Sequence, residues 1–241
     1  MSFLVFQSDF GLEDGAVSAM VGVALKEDAH LQIHHISHEI PAFNIFEASY
    51  RLLQTVPYWP EGTVFVSVVD PGVGTNREAI VIRTTSNYII VTPNNGTLTH
   101  LEQDHGIEEV RLIQTDDSIS HTFHGRDVFA KAGAQLASGK RSFTEIGPLF
   151  EKEKLVRLAL YQNIVSSNLV QGSVDSLDVR FGSLWTSIRV EEFQELGINF
   201  GESVMVTIRN SQRMVYRQVL PYEVTFGKVP LGASVVYVNS M

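Results

Sequence analysis

The chain contains no cysteine. That excludes disulfides, zinc–thiolate sites and a cysteine nucleophile. Positive charge is scarce too: 18 Lys and Arg stand against 27 Asp and Glu, a formal charge of −9. A nucleic-acid backbone or an anionic membrane requires a positive patch, so neither is expected as a partner, whereas a small cationic ligand is tolerated. No run approaches the ~18 uninterrupted apolar residues of a membrane span. Met1 opens onto a strand-like run rather than a signal peptide, and a cytoplasmic setting is expected. Internal repeats and low-complexity tracts are missing. What remains is an ordinary globular mixture, 44% apolar and 19% charged over 241 residues, enough for one large domain or two modest ones.

The first two-thirds alternates strand-like and helix-like segments. Strands are expected at Ser2 to Gln7, Leu31 to Ile36, Thr63 to Val69, Ala79 to Arg83 and Tyr88 to Val91; helices at Gly15 to Leu25, Phe46 to Thr55 and Asp127 to Ser138, the last closed by Gly139. The run TVFVSVV over 63–69 carries no charge and reads as the most buried strand. Strands alternating with helices predict an α/β domain with a largely parallel central sheet. After about Ser166 the runs become short and alternating, at Val170 to Val174, Leu184 to Val190, Ser203 to Ile208, Met214 to Val219 and Ser234 to Val238. This tail is expected to form a smaller all-β, barrel-like domain. The division falls at 1–166 and 167–241, with a ligand cleft expected between the two.

In an open α/β sheet, ligands gather at the carboxyl ends of the strands. Three clusters fall there. Asp9-Phe10-Gly11 follows the first strand; its carboxylate can accept hydrogen bonds from a ribose diol, or simply cap a helix. Asp70-Pro71-Gly72-Val73-Gly74-Thr75-Asn76-Arg77 follows the most buried strand, and its tight loop can fold Arg77 back on Asp70. It lacks the lysine of a phosphate loop; a turn with a structural ion pair is the plainer reading. Thr122-Phe123-His124-Gly125-Arg126-Asp127 precedes an Ala-rich helix. Gly125 lets the chain approach a ligand closely, His124 titrates near neutrality, and Asp127 can serve as a helix start.

Elsewhere the signals are weaker. Asn94-Asn95-Gly96 is a tight turn whose amides can also read a ligand edge. His34 and His38 share one side of an extended strand and His35 the other, so the three are not expected to converge on a metal. In the tail, Asp178 to Thr186 can hold an amino-acid head group or be a hairpin with a core Trp, and Phe226 can stack on a flat heterocycle or be core.

Taken in order, SDFG (8–11), HEIP (38–41), VVDPGVG followed by Arg77, PNNG (93–96), TFHGRD (122–127) and the FG-LWT stretch (181–186) resemble the S-adenosyl-L-methionine hydrolases, adenosine-forming relatives of the fluorinase and chlorinase. The resemblance covers nearly the whole chain. It implies an α/β N-terminal domain, a β-barrel C-terminal domain, and a homotrimer whose sites lie between one subunit's N-domain and its neighbour's C-domain. The reaction implied is S-adenosyl-L-methionine plus water giving adenosine and L-methionine, with no cofactor and no metal. Asp70, Arg77 and His124 match the family's water-activating set. Asp9 matches its ribose-binding Asp, with Phe10, Asn95 and Gly125 in the same substrate-binding loops. Asp178 and Ser183 match the positions that hold the methionine amino group, Phe226 the adenine-stacking aromatic, and Ser240 a substrate-contacting Ser.

Three departures stand out: Ser183 and Ser187 replace the family's usual Asn, Asn94 replaces a carboxylate, and the sequence stops at Met241 where relatives continue with a strand and loop touching substrate. Two other readings follow from the same residues. One is a non-catalytic adenosine or S-adenosyl-methionine binding protein; the other is halide transfer, opposed by a carboxylate at 70 where halogenating relatives carry Tyr.

Overall fold

A computed structural model describes residues 2–115 and 120–240, and the chain divides into two compact units, Met1–Ala159 and Leu160–Met241. In the first, strands β1 (Leu4–Ser8), β2 (Ile33–His35), β3 (Val64–Val68), β4 (Ala79–Thr84), β5 (Ile89–Pro93) and β6 (Ile107–Leu112) build one sheet in the order β2-β1-β3-β5-β4-β6. Helices α1 (Ala16–Glu27), α2 (Ile45–Thr55), α3 (Thr99–His105) and α4 (Lys131–Ser138) cover it. β1 runs parallel to β2 and β3, and β3 parallel to β5, while β4 is antiparallel to both its neighbours. The expected largely parallel sheet is therefore present, with an antiparallel edge.

The two-residue period of a strand makes this a three-layer unit. Leu4 and Phe6 of β1 face Met20 and Ala24 of α1 and Ala134 and Ala137 of α4, whereas Val5 faces Leu52 of α2 and Leu101 of α3 on the other side. All five residues of β1 and of β3 are buried, as the charge-free 63–69 run predicts for strands covered on both faces. Gln7 ties the layers together: its Nε2 donates to the Ala48 carbonyl at 2.9 Å and to Ser67 Oγ at 2.6 Å.

The helix expected from Asp127 begins earlier and wider. Residues Gly125–Ala130 form one turn of π-helix that passes into α4, which ends at Gly139. Such widened turns are frequent at functional sites.

The second unit is built of antiparallel hairpins: β7 (Ile164–Ser166) with β8 (Leu169–Gln171), β9 (Val174–Asp178) with β10 (Ser183–Thr186), and β11 (Ser203–Arg209) with β12 (Met214–Pro221). Among the described residues the strands pair two by two, and the strand expected over Ser234 to Val238 is reduced to one bridge, Tyr222 to Val236. The turn at 231–232 precedes that stretch, and residues 233–240 run on without a turn but meet a partner strand at that one bridge. Among the described residues no helix is long and apolar enough to cross a membrane.

Candidate active site

Adjacent parallel strands deliver their following residues to the same sheet end. β1 leads into Asp9, β3 into Asp70, and the third cluster enters from the turn before α4. Two glycines let the three loops close on one another. Gly74 has φ +75°, and a Cβ there would lie 2.5 Å from the His121 carbonyl oxygen. A Cβ on Gly125 would lie 3.0 Å from Phe10 Cζ and 3.3 Å from Val68 Cγ1. Phe10 also meets Phe123 edge-on at 5.7 Å. Phe10 and Gly125 thus join the first loop to the third.

At the junction, Arg77 forks onto Asp70, Nε to Oδ1 at 3.1 Å and Nη2 to Oδ2 at 2.5 Å. The same Nη2 donates to His124 Nδ1 at 3.2 Å, and the guanidinium lies over the Phe129 ring at 5.2 Å. The two side chains of the ion pair are only 5% and 8% exposed. Burial pushes the Asp70 carboxyl up, against the opposing pull of Arg77. Burial, and then the Arg77 cation, hold His124 below its usual range, against Asp70. With Nδ1 accepting from Arg77, neutral His124 carries its hydrogen on Nε2. A cavity of about 260 Å³ opens beside the set, lined by Thr75, Arg77, His121, His124 and Val128 among others. The three residues of the predicted reacting set therefore meet, next to open space.

Asp9 Oδ2 accepts the Phe43 N–H at 2.8 Å. Phe43 adopts φ 64°, rare for a bulky residue, and its ring is 68% exposed. An exposed aromatic is thus fixed beside the predicted ribose-binding carboxylate, and nothing in the PAFN sequence around it signals this. Asn95 donates from Nδ2 to the Val69 carbonyl at 2.8 Å and accepts from Thr97 Oγ1 at 2.7 Å. Asn94 faces away from the sheet end, donating to Lys154 O and Glu78 Oε2 and accepting from Val156 N. A carboxylate at 94 would lose both donors and oppose Glu78, which accounts for Asn there.

One premise of the histidine reading, that His35 and His38 lie on opposite sides, is corrected. His35 and His38 do meet, Nδ1 to Nε2 at 2.8 Å, and His38 Nδ1 lies 2.7 Å from Ser8 Oγ. Strand β2 stops at His35, so the period-two argument does not reach His38, which turns back under β1. No metal group forms: among the described residues no three such ligands converge. Instead, a neutral His38 bridges the Ser8 hydroxyl and the His35 ring, while Ser8 Oγ accepts from Phe10 N at 3.3 Å and His38 O from Gly11 N at 2.8 Å. This chain props the Asp9–Gly11 loop from below. Burial first, and then His35, lower His38 to about 4. A native value below the unfolded one means the unfolded state binds more protons between them. The contribution of His38 is complete above pH 6.5 and is lost as pH falls toward 4, amounting to roughly 3 kcal/mol at most. Urea melts should show the protein weakening over that window and His38→Asn weakening less; parallel curves would refute the assignment.

In the second unit, Asp178 Oδ1 accepts from Arg180 N and Phe181 N at 3.2 and 3.3 Å, closing the hairpin turn, and Asp178 sits opposite Ser183. Ser183 Oγ lies 3.0 Å from the Tyr237 hydroxyl, and Tyr237 meets the Phe226 ring edge-on at 5.6 Å. Tyr237, unremarkable in sequence, thus gathers two of the predicted substrate-binding residues. Phe226 is 63% exposed, so it is not core. Ser187 bonds Asn163 and Ser173, stabilising the unit itself. Ser240 lies exposed beyond the Tyr222–Val236 bridge.

Comparison with known proteins places this two-part architecture, an α/β unit followed by β hairpins, in a class of adenosyl-transferring enzymes. The SAM hydroxide adenosyltransferase N-terminal domain matches residues 4–147, and the C-terminal domain of that family matches residues 172–241. The chain belongs to the SAM hydroxide adenosyltransferase family, enzymes that cleave S-adenosyl-L-methionine. An (R)-S-adenosyl-L-methionine hydrolase of Methanocaldococcus jannaschii is 35% identical over 87% of this chain and 74% of its own length. A fluorinase of Actinopolyspora mzabensis is 26% identical over 98% of this chain and 87% of its own. The crystal structure of a conserved protein from Thermotoga maritima superposes with a TM-score of 0.90 at 31% identity, covering 99% of this chain and 89% of that one.

Proposed function

We propose that the protein hydrolyses S-adenosyl-L-methionine to adenosine and L-methionine. The observation that carries this reading is the buried Asp70–Arg77 pair joined to half-buried His124 beside an open cavity. A water oxygen forms a bond to C5′ as the C5′–sulfur bond breaks, and the bonding pair leaves with sulfur as a neutral thioether. One proton is released. Departure of a sulfonium needs no further activation, so the work of the site is to exclude bulk water and align one molecule behind C5′. In this reading His124 Nε2–H fixes the water oxygen, Arg77 holds Asp70 in direction, and Asp70 takes the proton, the more readily for its raised pKa. The carboxylate also repels an incoming halide, which weighs against halide transfer.

Asp9 serves the ribose, Phe10 and Gly125 pack together to join the loops that carry Asp9 and His124, and Asp178, Ser183, Phe226 and Ser240 hold methionine and adenine. Support for that second group is its exposure around Tyr237. A homotrimer, with one subunit's second unit completing its neighbour's site, goes with this reading. Val179 at 87% and Phe181 at 81% exposure would be covered by such an assembly. Sedimentation of the intact chain should give three copies; a monomer ends that part of the proposal. A cytoplasmic setting fits a cysteine-free enzyme acting on a soluble cosubstrate. The reading is tested by incubating pure protein with S-adenosyl-L-methionine and separating the products. Equimolar adenosine and methionine support it. Binding without product over hours points to a binding protein, and a 5′-halo-adenosine made in chloride or fluoride points to halide transfer.

A further inference from the structure

The Asp70–Arg77 loop leaves the sheet at Val69 and returns at Glu78, and one short turn, Asn94-Asn95, holds both ends. At the departing end, Val69 lies past the last residue of β3, fully buried, and its carbonyl accepts Asn95 Nδ2 at 2.8 Å. At the returning end, the Glu78 carbonyl accepts Asn94 N at 2.9 Å and also Arg77 Nη1 at 2.9 Å. The clamp is braced from behind. Thr97 Oγ1 donates to Asn95 Oδ1 at 2.7 Å, which fixes the orientation of its amide, and Asn94 is 5% exposed and bonded to residues 154 and 156. Both ends of the Asn95 amide are thereby engaged inside the protein.

We infer that Asn95, seated by Thr97 and working with the Asn94 backbone, is a positioning residue that sets the span of the loop and so the registry of Asp70 against Arg77, rather than a contact for substrate. This rests on the hydrolase reading for its kinetic consequence but not for its geometry. The chain of force is short. Val69 is covalently next to Asp70, and Glu78 O is held by the same guanidinium whose other nitrogens grip the carboxylate. Release of Val69 O would let the acid end drift while the arginine end stays anchored.

The test compares Asn95→Ala with the unsubstituted protein by kinetics, by pH profile and by crystallography. A misplacement of about 1 Å at the acid should lower kcat about 10- to 100-fold. KM should stay within about threefold, since nothing bound to substrate has been removed. The acidic limb of the kcat profile should move to higher pH, because an Asp70 less well gripped by Arg77 feels more of its burial penalty. A purely structural residue would lower the melting temperature without moving that limb. A raised KM with unchanged kcat would overturn the inference in favour of substrate contact.

Should Asn95→Ala fail to fold, Thr97→Val keeps the shape and removes the shorter of the two bonds that seat the amide, leaving only the Thr97 N–H at 3.3 Å, and a smaller loss in kcat, about three- to tenfold, is expected with KM unchanged. Crystal structures of the variant and the unsubstituted protein decide the matter whatever the activity. A lengthened Asp70–Arg77 fork supports the clamp, and an unchanged fork overturns it even if the protein proves not to hydrolyse S-adenosyl-L-methionine at all.

Discussion

Asp70→Ala is expected to lower turnover of S-adenosyl-L-methionine by about 10²- to 10⁴-fold, the range that a lost general base commands. Asp70→Asn should fall nearly as far, since it keeps the shape but cannot take a proton. The sign of the pH dependence follows from the same group. Burial raises the Asp70 pKa above that of an ordinary surface carboxylate, so activity should be present at neutral pH and drop as pH falls through that raised value. Burial and the Arg77 cation hold His124 below its usual range, so any limb it adds should fall on the acidic side of pH 6.5. Steady-state profiles of the unsubstituted protein and His124→Gln check this. Activity of Asp70→Ala within tenfold of the unsubstituted rate would remove the acid from the mechanism.

Arg77→Met should be the most damaging single change to stability. It leaves the Asp70 carboxyl 5% exposed and without its fork. Removing one partner of a buried ion pair typically costs about 3–5 kcal/mol, because the remaining charge loses its counter-ion while staying largely desolvated. The double variant Asp70→Leu, Arg77→Met should recover most of that loss, since burying two apolar groups in place of the pair is close to neutral. It should also be inactive. Urea unfolding of the three variants reads both effects. If Arg77→Met alone unfolds at the unsubstituted midpoint, the pair is not buried in solution.

The two outcomes together separate what the set does for the fold from what it does for chemistry. A Leu–Met replacement that folds as well but does not turn over would show that the pair is kept for chemistry rather than for the fold.

Much of this was visible in the amino-acid order, for physical reasons. A five-residue strand with helices on both sides has no place for a charge, so TVFVSVV could only lie deep in a sheet. Tight loops rich in Gly and Pro at strand ends mark where backbone approaches closely, and Gly74 does so against the His121 carbonyl, while Gly125 makes room for the Phe10 and Val68 side chains. Other features were hidden because they are not local. Helix α3 has seven residues, THLEQDH, too few and too polar to show a helical period. The widened turn at Gly125–Ala130 has no compositional mark. His35 and His38 meet because a strand ends, and spacing alone cannot tell where that happens. Tyr237 reaches Ser183 across 54 positions, a distance over which no pattern argument extends.

The hairpins of the second unit bear on how the chain can be dissected. Between residues 160 and 240 the residues described as buried are Ser176, Leu220 and Tyr222, while Leu231, Phe200 and Met205 stand largely open to solvent. Two-stranded ribbons are marginal by themselves in water. A fragment cut free at Leu160 would have almost no interior to hold it, and heteronuclear NMR of that fragment should show the narrow amide dispersion of a random coil. Modular by outline, the carboxyl-terminal third has little interior of its own, and truncation experiments on this protein would report on folding before they reported on binding.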